Sequence, residues 1–164
     1  MSAGVLALLV ALPRIEPRRQ NLERSGTAYI AIGIAVLAFM TVLHAFAVMA
    51  ALGGEANVVR IVGIGVGVLF IVIGNFLGKT RSNWFFGIRT PWTLTSERSW
   101  TRTHRLGGYL FIALGVAMIL TTVLFPPEAF VWILMVGLFS MIAVLFGYSY
   151  LAWRDDPNRR VLPG

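Results

Sequence analysis

Long apolar segments alternate with shorter polar ones along this chain. Four of the apolar segments are long enough to cross a hydrocarbon core about 30 Å thick, which takes roughly 20 helical residues. These segments are Thr27–Leu52, Val58–Gly78, Leu106–Phe125 and Ala129–Trp153. Each is apolar around its whole circumference, and inside lipid the backbone polar groups must pair within the segment. The pattern therefore predicts an all-α, polytopic membrane bundle with four transmembrane helices.

A fifth apolar segment, Met1–Pro13, stands at the beginning of the chain. As a helix it would be only about 20 Å long, which is too short for a full crossing. We expect it to be either a half-inserted segment or the remainder of one that starts further upstream. The rest divides into a basic linker at 14–26, a membrane domain at 27–153 that contains a long loop at 79–105, and a polar tail at 154–164.

Composition supports the membrane class and weakens several others. Charged residues make up 13% and hydrophobic residues 57% of the 164 residues, whereas soluble globular chains have about 25% charged residues. The net charge of +7 would suit a nucleic acid, but the charges lie in gaps between apolar runs, so we expect a bilayer and no direct nucleic-acid contact. The chain has no cysteine, and its two histidines have no partner at metal-ligand spacing. We expect neither a metal nor a cofactor.

The basic residues lie in alternate connections. The linker holds four, the long loop six and the tail three of the 14 basic residues, whereas the turns at Gly53–Asn57 and Pro126–Glu128 hold none. By the positive-inside rule, the linker, the long loop and the C-terminus are predicted to face the cytoplasm. The chain would then be a multi-pass protein of the cell (cytoplasmic) membrane.

Glycines recur at helical spacing along the segment 58–78. Gly63, Gly65 and Gly67 are followed by Gly74 and Gly78. Small residues let two helix backbones approach closely where lipid gives no hydrophobic drive for association. We interpret the glycines as a packing seam for a neighbouring helix or for a second copy of the chain. The simpler alternative is that membrane helices tolerate glycine.

His44 is the ionisable residue that lies deepest in a predicted span. Such a residue is expected to face a partner or a water-filled cavity. The alternative is a neutral imidazole that donates to a backbone carbonyl across a helix contact. The spans offer no second acid or base to complete a proton relay.

The connection Lys79–Arg105 is much longer than the 2–8 residues that are usual between helices of a bundle. An aromatic belt with cytoplasmic positive charges would explain its arginines and tryptophans. It would not explain the length, and long ordered loops usually carry function. We therefore place the candidate site in this loop.

A new helix is predicted within the loop. Pro91 restricts Thr90 to an extended conformation, and Thr95 or Ser96 can then cap a helix. The residues that would share one face of that helix are Trp100, Thr103, His104 and Gly107. We expect a short interfacial helix that bends into the third span at Leu106–Gly108.

A specific motif runs through the loop. It reads GIRTPWTL from Gly87 to Leu94, followed by W-x-x-T-H-R from Trp100 to Arg105. With flanking positions, it comprises Asn75, Arg81, Asn83, Gly87, Arg89, Thr90, Pro91, Trp92, Thr93, Trp100, Thr103, His104, Arg105 and Gly107. This motif resembles the signature of the SdpI family of bacterial membrane proteins. With a similar linker that begins at Pro13, the resemblance covers roughly residues 13–153.

The resemblance implies a non-enzymatic function. The family's founding member gives immunity to a secreted antimicrobial peptide and also holds a small helix-turn-helix repressor at the membrane. Many relatives carry two further spanning helices ahead of the linker, of which this chain has at most half of one. On this hypothesis a partner recognises a cytoplasmic platform, since arginine pairs with acidic groups and stacks on aromatic rings. The platform would consist of Arg89, Trp92, Trp100, His104 and Arg105.

Two other classes of function compete with immunity or signalling. A small-solute transporter or channel would line a polar path with Asn75, His44 and the loop, but the spans contain few polar residues. An enzyme would need paired carboxylates or a nucleophile beside a base, and Glu97 with His104 is too little for an acid–base site. We therefore expect no catalytic residue.

Overall fold

A computed structural model describes residues 25–54, 57–83 and 86–159, together with Gly4. Within those residues the structure contains helices and no strand. The helices are α1 (Gly26–Ala51), α2 (Val58–Leu77), α3 (Pro91–Thr95), α4 (Glu97–Leu124) and α5 (Pro127–Arg154). The predicted short segment Met1–Pro13 and nearly all of the basic linker lie outside the described residues. The all-α class is confirmed.

The four long helices are α1, α2, α4 and α5, and each is apolar and long enough to cross a membrane. Large apolar side chains on their outer surfaces are exposed, as shown by Ile34 at 62%, Phe139 at 66% and Trp132 at 70%. A water-soluble chain rarely exposes so much contiguous apolar surface, whereas in a bilayer such side chains face lipid. The prediction of four spans is confirmed, and the chain is a multi-pass membrane protein.

Helix α4 differs from the sequence prediction at its beginning. It runs without a break over 28 residues, about 42 Å, which exceeds the hydrocarbon thickness by about 10 Å. The short interfacial helix that was predicted to bend into the third span at Leu106–Gly108 is therefore the first part of one continuous helix. The glycines at this point do not open the helix, because Gly108 packs against the backbone of α2. The separate short helix is α3, which lies earlier in the loop.

Glycines form the contact between α2 and α4. A Cβ atom added to Gly67 would lie 2.7 Å from the carbonyl oxygen of Gly115, and one added to Gly74 would lie 2.6 Å from that of Gly108. The two antiparallel backbones therefore touch directly, as small residues permit. Gly65 faces α1. The glycine seam thus joins helices of one chain, and its use between two copies stays a prediction.

The apolar core lies between α4 and α5. Its buried members are Leu114, Met118, Phe130, Met141 and Leu145. Side chains of α2 pack against this cluster from one side. Among the described helices, α1 packs on α2 alone. The bundle is therefore built on α4, which contacts α2 along one face and α5 along another.

Polar segments come together at one end of the bundle. The backbone N–H of Arg81, just after α2, donates to the Ser25 hydroxyl at the start of α1 (2.8 Å). The Ser99 hydroxyl, in the first turn of α4, donates to the carbonyl of Ser149 near the end of α5 (2.8 Å). Thus the start of α1, the end of α2, the start of α4 and the end of α5 share this end, and the basic loop lies across it.

We call this end the polar cap, which consists of Ser25 and residues 79–83, 86–105 and 146–159. Among the polar side chains that the structure both describes and buries, all but Thr121 and Thr122 lie in the polar cap. Buried polar groups require hydrogen-bond partners. The loop is therefore expected to have an interior of its own, held together by specific hydrogen bonds.

Candidate functional site

Asn83 shapes the first part of the loop. Its side chain is fully buried. The side-chain oxygen accepts a hydrogen bond from the backbone N–H of Phe86 (2.7 Å), and the amide nitrogen donates to the carbonyl of Arg81 (2.9 Å). Asn83 therefore closes a local turn and stands in for backbone hydrogen bonds that a helix or strand would supply.

His104 anchors the next part of the loop to α4. Its imidazole is fully buried. Nδ1 donates to the carbonyl of Trp100 (2.8 Å), and Nε2 accepts from the backbone N–H of Ile88 (2.9 Å). This pair of bonds requires a neutral imidazole with its proton on Nδ1. Gly87 has φ +112°, and a Cβ there would overlap Nε2 of His104, so both backbone conformation and space require glycine.

Trp100 links α4 to the end of α2. Its indole is stacked on the His104 ring, with centroids 3.9 Å apart and an interplanar angle of 17°. The indole Nε1 donates to the carbonyl of Thr80 (3.0 Å), and no part of the residue is exposed. The two rings therefore form the centre of the polar cap.

Thr90 and Thr93 build the start of α3. Thr90 is extended (φ −95°, ψ 162°), as predicted from Pro91, which opens the helix. The Thr90 hydroxyl accepts a hydrogen bond from the backbone N–H of Thr93 (3.2 Å), and the Thr93 hydroxyl accepts one from the backbone N–H of Thr90 (2.9 Å). These two reciprocal bonds form a capping box. The Thr93 hydroxyl donates to the carbonyl of Ile88 (2.8 Å), and that of Thr90 donates to the hydroxyl of Ser149 in α5 (3.0 Å).

Trp92 holds α3 against α5. Its ring packs edge-on against Phe146 at 4.7 Å and Tyr150 at 5.3 Å between centroids. Edge-to-face pairs of this kind add about 0.5–1.5 kcal/mol each to the burial of the rings. Trp92 is half-buried, so one side contributes to packing and the other remains accessible.

Ser96 connects the start of α4 to the C-terminal tail. It is the N-cap of α4, one of the two residues predicted for that position, and its hydroxyl accepts from the backbone N–H of Ser99 (2.9 Å). The same hydroxyl donates to the carboxylate of Asp156 (2.5 Å), which keeps the pKa of that carboxyl below its ordinary value. Arg98 donates to the carbonyl of Asp155 (3.1 Å). The tail is therefore bound to the first turn of α4.

Comparison with known proteins assigns the region around this loop to a protein family. Residues 79–149 match the model of the SdpI/YfhL protein family. This chain is a member of the SdpI/YfhL family. The resemblance inferred from the motif is confirmed. The matched region contains the loop part of the polar cap together with α3, α4 and most of α5.

A curated relative carries the name Immunity protein SdpI and comes from Bacillus subtilis (strain 168). The chain is 31% identical to it over 117 residues, which are 70% of this chain and 56% of that protein. The chain therefore spans about half the length of this relative. No solved structure matches the chain.

The SdpI signature divides into buried and exposed residues. Asn83, Thr90, Thr93, Trp100, Thr103, His104 and Gly107 are buried. Asn75, Arg81, Gly87, Arg89, Pro91 and Arg105 are exposed, and Trp92 is half-buried. Half of the signature residues are therefore buried and help to position the loop.

This division corrects the platform that the sequence suggested. Trp100 and His104 have no exposed surface, so they cannot touch a partner and instead support the residues around them. Arg89, Trp92 and Arg105 retain accessible surface. Their role in partner binding stays a prediction.

His44 lies on the exposed side of α1, and its side chain makes no hydrogen bond with any other residue that the structure describes. Within the described residues, its imidazole therefore does not donate to a carbonyl across a helix contact, which was the simpler alternative, and its exposure to a partner or a water-filled cavity stays a prediction. Asn75 is exposed on α2, beside α4. Asn75 lines a cleft between α2 and α4, and His44 is not among the residues that line it.

The histidine, aspartate and glutamate side chains that the structure describes include no group of three that could hold a metal ion. Both ring nitrogens of His104 are occupied by backbone groups. Among the described residues, the polar cap presents exposed arginines such as Arg81, Arg89 and Arg105.

Sequence reasoning missed the residues that receive the loop. Ser25, Ser149 and Asp156 each bond a residue of the loop or its flanks, from positions far away in the chain. Ser149 offered a weak signal, because it is a buried polar residue within a predicted apolar span. Ser25 and Asp156 lie in polar segments where nothing distinguishes them from their neighbours.

Proposed function

We propose that this membrane protein protects its cell against a secreted antimicrobial peptide and acts through its polar cap. The observation that carries the proposal is the 31% identity over 117 residues with a protein named Immunity protein SdpI. The family match at residues 79–149 supports the same surface, because it coincides with the loop, α3 and the helices that hold them.

The polar cap is suited to binding because its exposed groups are fixed in advance. The buried hydrogen bonds around His104, Thr93 and Asn83 order the backbone of the loop before a partner arrives. A preorganised surface avoids part of the entropy cost of association. Arg89 is exposed between two of these anchors, where its guanidinium can pair with a carboxylate.

We propose further that the polar cap faces the cytoplasm and that its partner there is a small helix-turn-helix repressor. The positive-inside rule supports the orientation, because the loop and the tail carry most of the basic residues. The partner would present acidic side chains to the exposed arginines. A cap on that side suits a partner inside the cell better than direct capture of an external toxin.

Binding rather than catalysis is the proposed mode of action. The SdpI immunity family is not a known enzyme family. The buried histidine of the signature is bonded at both nitrogens, which leaves it no free position for proton transfer. The protein would then act by holding a partner at the membrane.

The immunity proposal is tested by deleting the gene and challenging the cells with the secreted peptides encoded near it. Deletion should lower survival, and expression of the full chain from a plasmid should restore it. An Arg60→Ala variant serves as a control, because Arg60 is exposed at the opposite end of the bundle. Equal survival of deleted and intact cells under every such peptide would refute the proposal.

The repressor proposal needs a separate measurement. A fluorescent fusion of the neighbouring repressor should move from the nucleoid to the membrane in cells that produce this protein. The movement should be lost with Arg89→Ala and kept with Arg60→Ala. A repressor that stays on the nucleoid with the wild-type protein would contradict this part of the account and leave the immunity test unaffected.

A further inference from the structure

An open cleft of about 170 Å³ lies between α2 and α4 at the edge of the polar cap. The residues that line it include Gly74, Asn75, Lys79, Arg105, Gly108 and Tyr109. None of the hydrogen bonds that build the loop involves these side chains. The cleft is therefore separate from the anchored interior around His104.

Glycines create the cleft. Gly74 and Gly108 bring the two backbones into direct contact, and a Cβ on either one would meet the other's carbonyl oxygen at 2.6–2.7 Å. Because there is no space for a side chain at either glycine, a groove remains between the two helices beside the glycine contact. Longer side chains stand only along its rim.

Two cations stand at the rim. Lys79 and Arg105 are exposed, and neither forms an ion pair with any carboxylate that the structure describes. The Lys79 ammonium lies 4.9 Å from the centre of the Phe76 ring, which keeps it beside α2. Two unneutralised cations at one cleft favour an anion that can accept hydrogen bonds from both, such as a phosphate.

The position of the cleft indicates that the phosphate belongs to a lipid head group. Lys79 follows the end of α2, and Arg105 directly precedes the apolar stretch that begins at Leu106. The cleft extends from these cations to Ile112, which is about two helical turns further into the apolar part of α4. One end of the cleft is thus cationic and the other apolar, which suits a ligand with an anionic head and an apolar chain. Basic pockets between transmembrane helices at the membrane surface favour anionic lipid head groups.

We propose that this cleft binds an anionic phospholipid from the leaflet beside the polar cap. Lys79 and Arg105 contact the phosphate of the head group. Asn75 and Tyr109 offer an amide and a hydroxyl to its remaining oxygens. An acyl chain lies along the glycine groove towards Ile112. The lipid would hold the polar cap at the membrane surface, whatever partner the exposed arginines bind.

The test uses the full chain, purified in a non-ionic detergent, and native mass spectrometry. The probes are palmitoyl-oleoyl phosphatidylglycerol and phosphatidylcholine, which have the same acyl chains. The wild-type protein should bind phosphatidylglycerol about tenfold more tightly than phosphatidylcholine, because each cation adds to the attraction for an anionic head group. Lys79→Gln with Arg105→Gln should abolish that preference.

A charge-matched control separates the cleft from general electrostatics. Arg60→Gln with Arg102→Gln also removes two positive charges, from exposed positions outside the cleft. This variant should keep the preference for phosphatidylglycerol. If both double variants lose it equally, or if the wild-type protein binds both lipids equally, the proposed site is overturned.

Two further measurements deal with a free phosphate as the ligand and with a double variant that does not fold. Soluble glycerol phosphate in large excess should leave the phosphatidylglycerol complex intact, and its displacement would show that the cleft takes a free phosphate instead of a lipid. Should the cleft double variant fail to fold, as judged by circular dichroism, Asn75→Asp decides the matter. This exposed substitution places a negative charge beside the phosphate and should lower the preference. An unchanged preference would refute the lipid site.

Discussion

Nε2 of His104 accepts a hydrogen bond from the backbone N–H of Ile88 at 2.9 Å. The donor belongs to the loop and the acceptor to α4, 16 residues further along the chain. The other ring nitrogen donates to the carbonyl of Trp100, so the imidazole is an internal bridge between two backbones. The histidine of the signature therefore holds the loop on the bundle.

Replacing His104 by alanine should lower the free energy of unfolding by about 2–4 kcal/mol. The change leaves the Ile88 N–H without its partner and opens a cavity beside Trp100. Thermal unfolding in detergent, followed by circular dichroism, measures the effect. His44→Ala is the matched control, because His44 is exposed and its side chain makes no hydrogen bond with the described residues. Equal melting temperatures for the two variants would show that the bridge contributes nothing.

Gly87→Ala should destabilise the protein more than Gly53→Ala. Both glycines have a positive φ, +112° and +85°, so both substitutions carry a conformational cost of roughly 1 kcal/mol or more. A Cβ at Gly87 also collides with the His104 ring, whereas one at Gly53 meets no atom of the described residues within 4 Å. The difference between the two melting temperatures isolates the collision. A difference of zero would mean that the loop can move away from His104 without cost.

Gly74→Ala should weaken the packing of α2 on α4 by about 1–3 kcal/mol, as overpacking of a close contact does. The new methyl group would lie 2.6 Å from the carbonyl oxygen of Gly108, and backbone cannot rotate away as a side chain can. Gly147→Ala in α5 is the control, since nothing lies within 4 Å of its added Cβ. Unfolding in detergent should distinguish the two variants, and equal stability would contradict the glycine contact.

Local features of this fold could be predicted from the sequence because local rules determine them. Hydrophobic length predicted the four spans. Pro91 restricts its neighbour Thr90, and a serine can cap a helix, so the extended Thr90 and the N-cap Ser96 followed from residue types alone. The shared face of Trp100 and His104 followed from helical spacing, and the structure buries that face.

Long-range pairings could not be predicted in this way. The Thr90 hydroxyl meets that of Ser149 across 59 residues, and Ser96 meets Asp156 across 60. Contacts of this kind leave no periodic signal in the sequence. Trp100 and His104 were expected at the surface, because a polar loop normally has no interior. In this structure the polar cap has a buried interior, and both side chains lie in it.

Reporter fusions test the orientation of the bundle. A fusion after Asn57 should report the outside of the cell, and a fusion after Trp153 should report the cytoplasm. The reason is that the loop and the tail carry the positive charges and share one end of the structure. The opposite pattern would overturn the proposed orientation and would place the polar cap outside the cell.

Survival under peptide challenge, measured with Arg89→Ala, tests the central claim that the exposed part of the polar cap carries the protective function. Arg89 is exposed, so its replacement should change the free energy of unfolding by about 1 kcal/mol or less and leave the protein in the membrane. Cells without the native gene should produce each variant from the same promoter, with membrane amounts matched by immunoblot. We expect the wild-type protein and Arg60→Ala to restore survival and Arg89→Ala to fail. Full protection by Arg89→Ala would contradict the account.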